Sequence, residues 1–588
     1  MSQESIVSID KFLGLHIDTT GGLTLQPGEL SECKNCRITE NYKIRKREGY
    51  TQKFAAGSGG NIQGMWYGKL GSSYHFIFAR DGHVYKGNLS TFATTDLGAI
   101  TNARTFFFAF NDKLYIQNGT EYKYWTGTGT MSTVDGHIPK VAIATPPTGG
   151  GTPYEGINLL IGKKHQTFKG NGSATVYQLA ETSISSVDSV YVDGVLKTVT
   201  THYTVNTTNG TVTFVTAPAD YTDLSTDNVD IYWTKGSGTR ATVTANKQSI
   251  LFGGASDSRV FMYGADNKII YSDLADGVPS AEYFPEDNYL LIGSDEYDVT
   301  GLSKQYDRLI VHKEVDSYYC VYEVNATTGA GFPTYPLNDS IGNIAFGECQ
   351  SVLNNPFAVT NNGIYQFVAT NVRDEKNAVF ASERVQVGLD SLDLSTAVTF
   401  DWERKYEYWV CVGKDCYIYN YKNDTWYYFN LADTPSHFLE INGVCYMGTS
   451  TGKIMMFDDD NKTDNGTAVS ARWEVGFLDF GANYLRKFLT FGWVGLQPEG
   501  RSYCKLNWDS DNSSSATDYE IEYNLMDFSN VNFADFSFDT NYNPQPFRLK
   551  FKIKKFTYMR IIGENESLTE GMTILNLTLP ALVGGMSK

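Results

Sequence analysis

Residues 74–87 read YHFIFARDGHVYKG, and residues 104–119 read RTFFFAFNDKLYIQNG. In each segment an aromatic-rich run is followed by a short polar turn and then by a second run of aromatic or bulky apolar residues. Asp-Gly and Asn-Gly pairs supply the positive φ angles of type I′ turns, so a turn of this kind between apolar runs indicates a β-hairpin. The two segments therefore predict aromatic hairpins.

The same two-strand pattern recurs along the chain, and its later copies are about 45 to 50 residues apart. That spacing is close to the four-strand period of a β-propeller blade. The sequence thus predicts a β-propeller, with unrelated hairpins in stacked sandwiches as the alternative. The further copies are residues 259–273, 356–368, 406–421, 437–450 and 451–458, with a looser match at 308–324.

Composition supports an all-β protein that folds into a large core. Aromatic residues make up 14% of the 588 residues, with 55 Gly and 16 Pro, which favours strands and tight turns over helices. Hydrophobic residues account for 41% of the chain, too many for general disorder. A formal net charge of −18 disfavours tight, sequence-nonspecific DNA binding, which depends on Lys and Arg.

The first residues, MSQESIVSIDKFLGLHID, lack the basic and apolar regions of a signal peptide. The sequence contains no run of 18 apolar residues, so no membrane helix is predicted. We therefore expect synthesis in the cytoplasm without Sec export and no stable membrane insertion. A secreted adhesin would need a Sec-independent route.

Changes in composition divide the chain into five predicted regions. The Pro- and Gly-rich stretch IATPPTGGGTP (143–153) is interpreted as a linker. After it, Thr- and Val-rich hairpins at 190–199 (Asp-Gly) and 203–216 (Asn-Gly) predict a small inserted sandwich. The regions are 1–50, an N-terminal segment that docks on the propeller or a neighbour; 51–156, the first part of the propeller; 157–240, the inserted β-sandwich; 241–464, the second part of the propeller; and 465–588, a C-terminal β-sandwich.

Motifs that carry chemistry are scarce, and we predict no enzyme and no catalytic, cofactor-binding or metal-binding residues. Cys33 and Cys36 form a C-x-x-C pair without the second ligand pair of a zinc site, which favours loop thiols. The eight cysteines are too dilute for a disulfide scaffold, which favours a reduced compartment. Asp458, Asp460 and Asp464 have calcium-loop spacing, but the Glu that closes such a loop at position 12 is absent, so an acidic turn is favoured.

Three features leave alternatives open. Trp402, Trp409 and Trp426 could stack on sugars in a carbohydrate-binding or polysaccharide-cleaving propeller, although core positions are favoured because Trp is highly buried on average. The paired carboxylates of a glycosidase have no fixed sequence separation, so sequence spacing does not test for them and a glycosidase stays an alternative. The loop NLMDFSNVNFADFSFDTN (524–541) suits equally the docking of a neighbour and the covering of a sheet edge.

Several segments resemble the tail nozzle, or tail-hub, proteins of short-tailed bacteriophages, which include the phage stabilisation proteins. LGLHIDTTGGLTLQPGELSECKNCRITENYKIRKREGY (13–50) resembles the family's first segment, with its glycine pair, PGE turn, Asn-bearing stretch and closing R-x-G-Y. Residues 258–314 resemble the central propeller segment of this family. The segments 361–367, 374–385 and 448–458 resemble further blades. The inserted domain departs from the minimal family pattern.

This resemblance implies a virion structural protein, located in the tail and assembled in the host cytoplasm. It implies a homo-oligomeric ring, a hexamer, below the portal and adaptor proteins, with fibres or a tail-tip protein attached. Genome DNA would pass through the channel without specific binding. Acidic walls would repel phosphate within about 8 to 10 Å. We therefore expect Asp and Glu to outnumber Lys and Arg along the axis.

Overall fold

The computed structural model describes residues 3–220, 227–253, 256–325, 329–368, 377–515, 518–525, 541 and 543–586. Within these ranges the regular secondary structure is almost entirely β-strand, with two short α-helices, α1 (Arg240–Thr244) and α2 (Gln386–Leu389). Helical turns of the 3-10 type occur at Glu383–Val385, Leu394–Thr396 and Glu403–Lys405. No helix in the described ranges is long and apolar enough to cross a membrane.

Six strands precede the first blade. They are β1 (Gln3–Ile9), β2 (Gly14–Leu15), β3 (Glu29–Lys34), β4 (Cys36–Ile38), β5 (Ile44–Lys46) and β6 (Gly49–Phe54).

The first two blades follow directly in the chain. Their strands are β7 (Ile62–Leu70), β8 (Ser73–Arg80), β9 (His83–Gly87), β10 (Thr94–Ala99), β11 (Phe106–Phe110), β12 (Lys113–Gln117), β13 (Tyr122–Trp125) and β14 (Ser132–Thr133).

The inserted sandwich comes next. It consists of β15 (Lys140–Thr145), β16 (Thr152–Pro153), β17 (Lys163–Phe168), β18 (Val176–Gln178), β19 (Ser186–Val192), β20 (Val195–Lys197), β21 (Tyr203–Asn206), β22 (Thr211–Phe214) and β23 (Val229–Thr234).

The propeller then resumes. Its strands and short connecting hairpins are β24 (Gln248–Phe252), β25 (Arg259–Tyr263), β26 (Lys268–Tyr271), β27 (Leu274–Ala275), β28 (Val278–Pro279), β29 (Tyr289–Leu291), β30 (Val299–Gln305), β31 (Arg308–Lys313), β32 (Ser317–Val321), β33 (Glu323–Asn325), β34 (Gly329–Gly331), β35 (Thr334–Asn338), β36 (Ser351–Val352), β37 (Asn355–Thr360), β38 (Gly363–Phe367), β39 (Ala378–Phe380), β40 (Val398–Trp402), β41 (Glu407–Val412), β42 (Asp415–Asn420), β43 (Thr425–Asn430), β44 (Pro435–Ile441), β45 (Val444–Thr449) and β46 (Ile454–Asp458).

The remaining strands belong mainly to the C-terminal sandwich. They are β47 (Thr463–Asp464), β48 (Thr467–Ala468), β49 (Ala471–Val475), β50 (Leu485–Leu489), β51 (Gly492–Leu496), β52 (Arg501–Ser510), β53 (Tyr519–Asn524), β54 (Gln545–Leu549), β55 (Ile553–Phe556), β56 (Met559–Asn565) and β57 (Thr573–Met586).

The predicted all-β fold with a β-propeller is confirmed by the order and pairing of the strands. Seven four-stranded blades occur within the described ranges, each an antiparallel meander. Strand β6, which precedes the first blade in the chain, is the fourth strand of the last one and pairs with β46. The blades are β7–β10, β11–β14, β24 to β26 with β29, β30 to β32 with β35, β36–β39, β40–β43, and β44 to β46 with β6.

The predicted hairpins are confirmed where turn chemistry is strongest. Asp81 and Gly82 have φ angles of 54° and 75°, as a type I′ turn requires, and they join β8 to β9. Asn442 and Gly443, with φ angles of 52° and 82°, join β44 to β45 in the same way. Tight turns therefore fix the register of these blades.

Two details of the sequence interpretation are wrong. The stretch 143–153 is not a linker, because Ile143 pairs with Thr152 across a hairpin, and β15 continues in parallel pairing with β17 of the inserted sandwich. The segment 203–216 is a hairpin, but four residues separate β21 from β22 and its Asn-Gly pair does not form a two-residue turn. Here Gly210 has a positive φ of 65° and Asn209 does not.

The chain forms two compact units. Unit 1 comprises Met1–Tyr67, Gly87–Thr94 and Asn343–Lys588, and unit 2 comprises Gly68–Lys86 and Thr95–Gly342. In unit 2 the inserted sandwich stacks a six-stranded and a three-stranded sheet around its own core, which includes Tyr177 and Trp233. The insertion thus has the independent core of a domain.

In unit 1 the C-terminal sandwich includes strands from the N-terminal segment 1–50. Strands β1 and β5 pair with β57, and β3 pairs with β49. Buried aromatic residues from this segment, the blades and the sandwich form one core. The N-terminal segment is therefore an integral part of unit 1.

Gly49 marks the closest approach of backbone in this core. A Cβ atom at Gly49 would lie 2.0 Å from the carbonyl oxygen of Thr463. We expect Gly49→Ala to destabilise the protein by about 1–3 kcal/mol, because backbone atoms must move to admit the methyl group. Chemical denaturation followed by Trp fluorescence measures the change.

The matched control is Gly585→Ala in β57, where a Cβ would meet nothing within 4 Å. We expect that change to stay within about 0.5 kcal/mol of the parent protein. Equal stability of the two variants would contradict the close approach at Gly49.

Candidate functional site

The closing R-x-G-Y of the N-terminal segment is built around a buried guanidinium. The Arg47 side chain is 0% exposed, and its Nη1 and Nη2 donate to Asp464 Oδ1 and Oδ2 at 2.8 and 2.6 Å. Its Nε donates to Asn35 Oδ1 at 2.9 Å. This fork geometry satisfies the charge of Arg47 without solvent.

Asn35 connects three parts of unit 1. Its Oδ1 also accepts the backbone N–H of Asn430 at 2.9 Å, and its Nδ2 donates to the carbonyl of Ser470 at 2.8 Å. The residue has a φ of 50°, a conformation that Asn tolerates better than most side chains. A single amide thus joins the N-terminal segment to a blade and to the sandwich.

The contacts of Gly28 and Glu29 explain why the same segment turns at its PGE sequence. Gly28 has a φ of 102°, and a Cβ there would lie 2.5 Å from the carbonyl oxygen of Lys11. Glu29 accepts the backbone N–H of Gln26 at 2.9 Å and lies 3.1 Å from the Nδ1 of His16. The glycine allows the close turn, and the carboxylate holds it.

A second ionic cluster lies beside the first. The Arg37 guanidinium donates to both Glu48 and Glu407, and Lys405 Nζ lies 2.9 Å from Glu48 Oε1. Trp409 Nε1 donates to Glu407 Oε2 at 3.0 Å. Burial opposes ionisation of Glu48, but the charges of Arg37 and Lys405 outweigh it and hold the pKa of this carboxyl well below its usual value.

A third cluster anchors β3 to the sandwich. Arg472 donates through Nε to Glu32 at 2.7 Å and also contacts Glu474 and Glu564. Arg560 Nη1 lies 2.8 Å from Glu474. In all three clusters, those of Arg47, Arg37 and Arg472, the charged groups pair with one another. This arrangement is typical of ion pairs that hold parts of a fold together.

The sequence favoured loop thiols for Cys33 and Cys36, and this prediction is wrong. Both are buried strand residues. Cys33 Sγ donates to the carbonyl of Cys36, and Cys36 Sγ donates to that of Arg472. Burial raises the pKa of both thiols, which disfavours the thiolate that a metal would need.

Cys411 and Cys416, cross-strand partners in the β41–β42 hairpin, form a disulfide that the sequence interpretation did not include.

The three aspartates of the calcium-like spacing have separate surroundings. Asp464 is buried against Arg47, whereas Asp458 and Asp460 are exposed at the end of β46 and in the following turn. The structure therefore assigns Asp464 to the ion pair. The described ranges hold no group of three or more His, Cys, Asp or Glu residues that could bind a metal ion.

The core interpretation of Trp402, Trp409 and Trp426 is confirmed, because they are 2%, 0% and 1% exposed. Trp402 faces the second ionic cluster, with Lys405 Nζ 4.7 Å and the Arg37 guanidinium 5.8 Å from its ring centroid. Most of the loop 524–541 lies outside the described residues.

An acidic group near these Trp residues was missed by the sequence analysis. Asp401, next to Trp402, accepts a hydrogen bond from the Tyr421 hydroxyl at 3.3 Å. Burial, followed by the charge of Glu403, raises its pKa to about 7. Burial also raises the pKa of Glu440. The group consists of Asp401, Glu403 and Glu440. No sequence motif marks it, because Glu440 belongs to β44 and the other two residues lie in or just after β40.

The sandwich pocket is an open, polar cavity of about 780 Å³ in unit 1. Its walls come from the β4–β5 hairpin, the loop after β46, the β51–β52 loop and the start of β57. The lining residues are Thr39, Asn41, Lys43, Arg45, Asp459, Asp460, Lys462, Gln497, Glu499, Gly500, Arg501, Thr569, Thr573 and Leu575.

The buried ion pair generates a stability prediction. We expect Arg47→Met to destabilise the protein by about 3–5 kcal/mol, since it leaves the buried Asp464 carboxylate unpaired. Arg45→Met, two residues earlier in the chain, is the control, because the Arg45 side chain is 47% exposed and lies 3.9 Å from Glu499. The control should lose less than about 1 kcal/mol in the same denaturation experiment.

Asp401 generates a prediction of pH dependence. Its raised pKa means that its contribution to stability is present below the ordinary Asp pKa of 3.8 and is lost as pH rises through about 7. Asp401→Asn should therefore stabilise the protein at pH 8 by roughly 1–2 kcal/mol, a value reduced for solvent screening, and have little effect at pH 4. Melting curves at both pH values, with the exposed Asp10→Asn as control, measure this. A pH-independent effect would contradict it.

No protein-family model matches the sequence, and no curated protein matches it. Among solved structures, BamB from Moraxella catarrhalis is similar with a TM-score of 0.33 and 11% identity, covering 69% of this chain and 97% of that one. The Pan2 WD40 domain of Neurospora crassa has a TM-score of 0.31 and 7% identity, covering 71% and 98%. The computationally designed Ika8 protein has a TM-score of 0.31 and 10% identity, covering 69% and 99%. The propeller assignment therefore rests on the strand order and pairing described above.

Proposed function

We propose that this protein is a structural virion protein that forms the ring-shaped tail nozzle or hub of a phage. In this role it lies beneath the portal and adaptor, conducts and gates genome DNA during ejection, and carries fibres or a tail tip. The observation that carries the proposal is the N-terminal segment 13–50. Its family-like Asn35 and closing R-x-G-Y contain the side chains that connect blade and sandwich within unit 1, and its PGE turn shapes the segment itself.

These connections suit a subunit that must withstand mechanical load. Buried ion pairs are lost only at a cost of about 3–5 kcal/mol when one partner is removed. In unit 1 they join residues that are far apart in the chain, such as Arg47 and Asp464, which are separated by 417 residues. Load on the N-terminal segment would therefore be distributed over a blade and the sandwich.

The net charge supports passage of DNA in preference to binding. A protein with a net charge of −18 offers few uncompensated cations for phosphates, so sliding DNA would not be retained. The proposed carbohydrate alternative is less well supported, since the three Trp residues that motivated it are buried and cannot stack on a sugar.

The proposal is tested by the solution mass of the full chain, measured by light scattering and followed by negative-stain averaging. We expect a multiple of 65.5 kDa and a sixfold ring with a central hole. A portal and adaptor assembly from a phage that encodes this chain serves as template if the ring does not close alone. A monomer under both conditions would overturn the proposal.

The same preparation provides a second measurement, gel retardation of linear double-stranded DNA at physiological salt. We expect no retention at protein concentrations below about 1 μM, the tight limit of ordinary nonspecific binding. A basic DNA-binding protein is the positive control. Retention in the nanomolar range that weakens steeply with salt would contradict a non-binding channel.

A further inference from the structure

The sandwich pocket has a local charge that differs from that of the whole protein. Four of its lining residues, Lys43, Arg45, Lys462 and Arg501, are basic, and three, Asp459, Asp460 and Glu499, are acidic. The lining therefore has a formal charge of +1, in a chain of net charge −18. The contacts of these residues determine how much of that charge is available to a ligand.

Two lysines of the pocket are held by neutral carbonyl groups. Lys43 Nζ donates to the carbonyls of Asp10 and Leu575 at 2.6 and 2.8 Å. Lys462 Nζ donates to the carbonyl of Asp459 at 3.1 Å. A carbonyl dipole orients an ammonium group without neutralising it. Both lysines are thus fixed in position while their positive charge stays uncompensated.

The third cation, Arg45, is only loosely paired. Its Nε lies 3.9 Å from Glu499, beyond hydrogen-bond distance, and its side chain is 47% exposed. Glu499 itself accepts a hydrogen bond of 2.6 Å from the Thr573 hydroxyl. The guanidinium therefore keeps donors that can face a ligand.

One of the acidic residues is engaged elsewhere. Asp459 Oδ1 lies 2.5 Å from Lys405 Nζ, a cation that it shares with Glu48. The adjacent Lys46 Nζ donates to Asn565 Oδ1 at 2.8 Å, and burial, followed by the charge of Lys462, lowers its pKa to about 8.

The rest of the lining is rich in hydroxyl and amide groups. These belong to Thr39, Asn41, Gln497, Thr569 and Thr573, and no aromatic side chain occurs among the described lining residues. A neutral sugar is usually held by stacking on an aromatic ring, which this lining does not offer. Hydroxyls and amides beside cations instead suit a ligand that carries both hydroxyl groups and a negative charge.

We propose that the sandwich pocket binds an anionic saccharide, a sugar that carries a phosphate or carboxylate group. Arg45, Lys43 and Lys462 would contact the anionic group, and the Thr, Asn and Gln side chains would contact the hydroxyls. The volume of about 780 Å³ lies within the range of small-molecule sites, about 300–1,000 Å³. This site is independent of the proposed ring, so each can fail without the other.

The test is isothermal titration of the full chain with four probes: glucose 6-phosphate, glucuronate, glucose and inorganic phosphate. We expect one or both anionic sugars to bind at least tenfold more tightly than glucose and than inorganic phosphate, with an affinity that falls as salt increases. Equal binding of glucose would overturn the role of the charge. Equal binding of inorganic phosphate would overturn recognition of the sugar, and absence of binding by both anionic sugars would overturn the site.

Two variants connect the binding to the pocket. Arg45→Gln and Lys462→Gln should each weaken binding of the anionic sugar about tenfold, which corresponds to about 1.4 kcal/mol. The exposed Lys414→Gln, in the turn between β41 and β42, removes the same charge at a distance and should leave the affinity unchanged. Melting temperatures confirm that the variants fold, and an equal loss in all three would overturn the assignment to this pocket.

Discussion

A guanidinium that is removed from water must be paired on every side, and Arg47 imposes this condition on the centre of unit 1. Asp464 accepts from two of its nitrogens and Asn35 from the third. Asn35 in turn holds Asn430 and Ser470. Because a buried charge tolerates little error in geometry, these contacts require the N-terminal segment, the β40–β43 blade and the sandwich to adopt one arrangement.

The sequence could predict the features that depend on residue type or on neighbours in the chain. The Asp81-Gly82 turn joins adjacent strands, and its residue types require positive φ, so the hairpin could be identified without knowledge of any other part of the chain. The propeller followed from repetition of such hairpins. The buried state of Trp402, Trp409 and Trp426 could be anticipated from residue type alone.

The features that sequence could not predict depend on distant partners. Nothing in the residues near Arg47 identifies Asp464 as its partner, and the same aspartate also fitted a calcium-like spacing. The Pro- and Gly-rich stretch 143–153 was misinterpreted because its pairing partners, not its composition, make it part of a sheet. The pocket and the raised pKa of Asp401 arise only where separate strands meet.

The pairing of β1 with β57 has a consequence for synthesis on the ribosome. Ser8 and Thr578, which face each other in this pair, are 570 residues apart. At about 5–20 residues per second, β1 waits roughly half a minute to two minutes for its partner to be translated. During that time β1 lacks β57, the strand with which β5, β50 and β51 also pair. A chain that terminates early therefore cannot complete this sheet, and chaperones have a long period in which to distinguish unfinished subunits from finished ones.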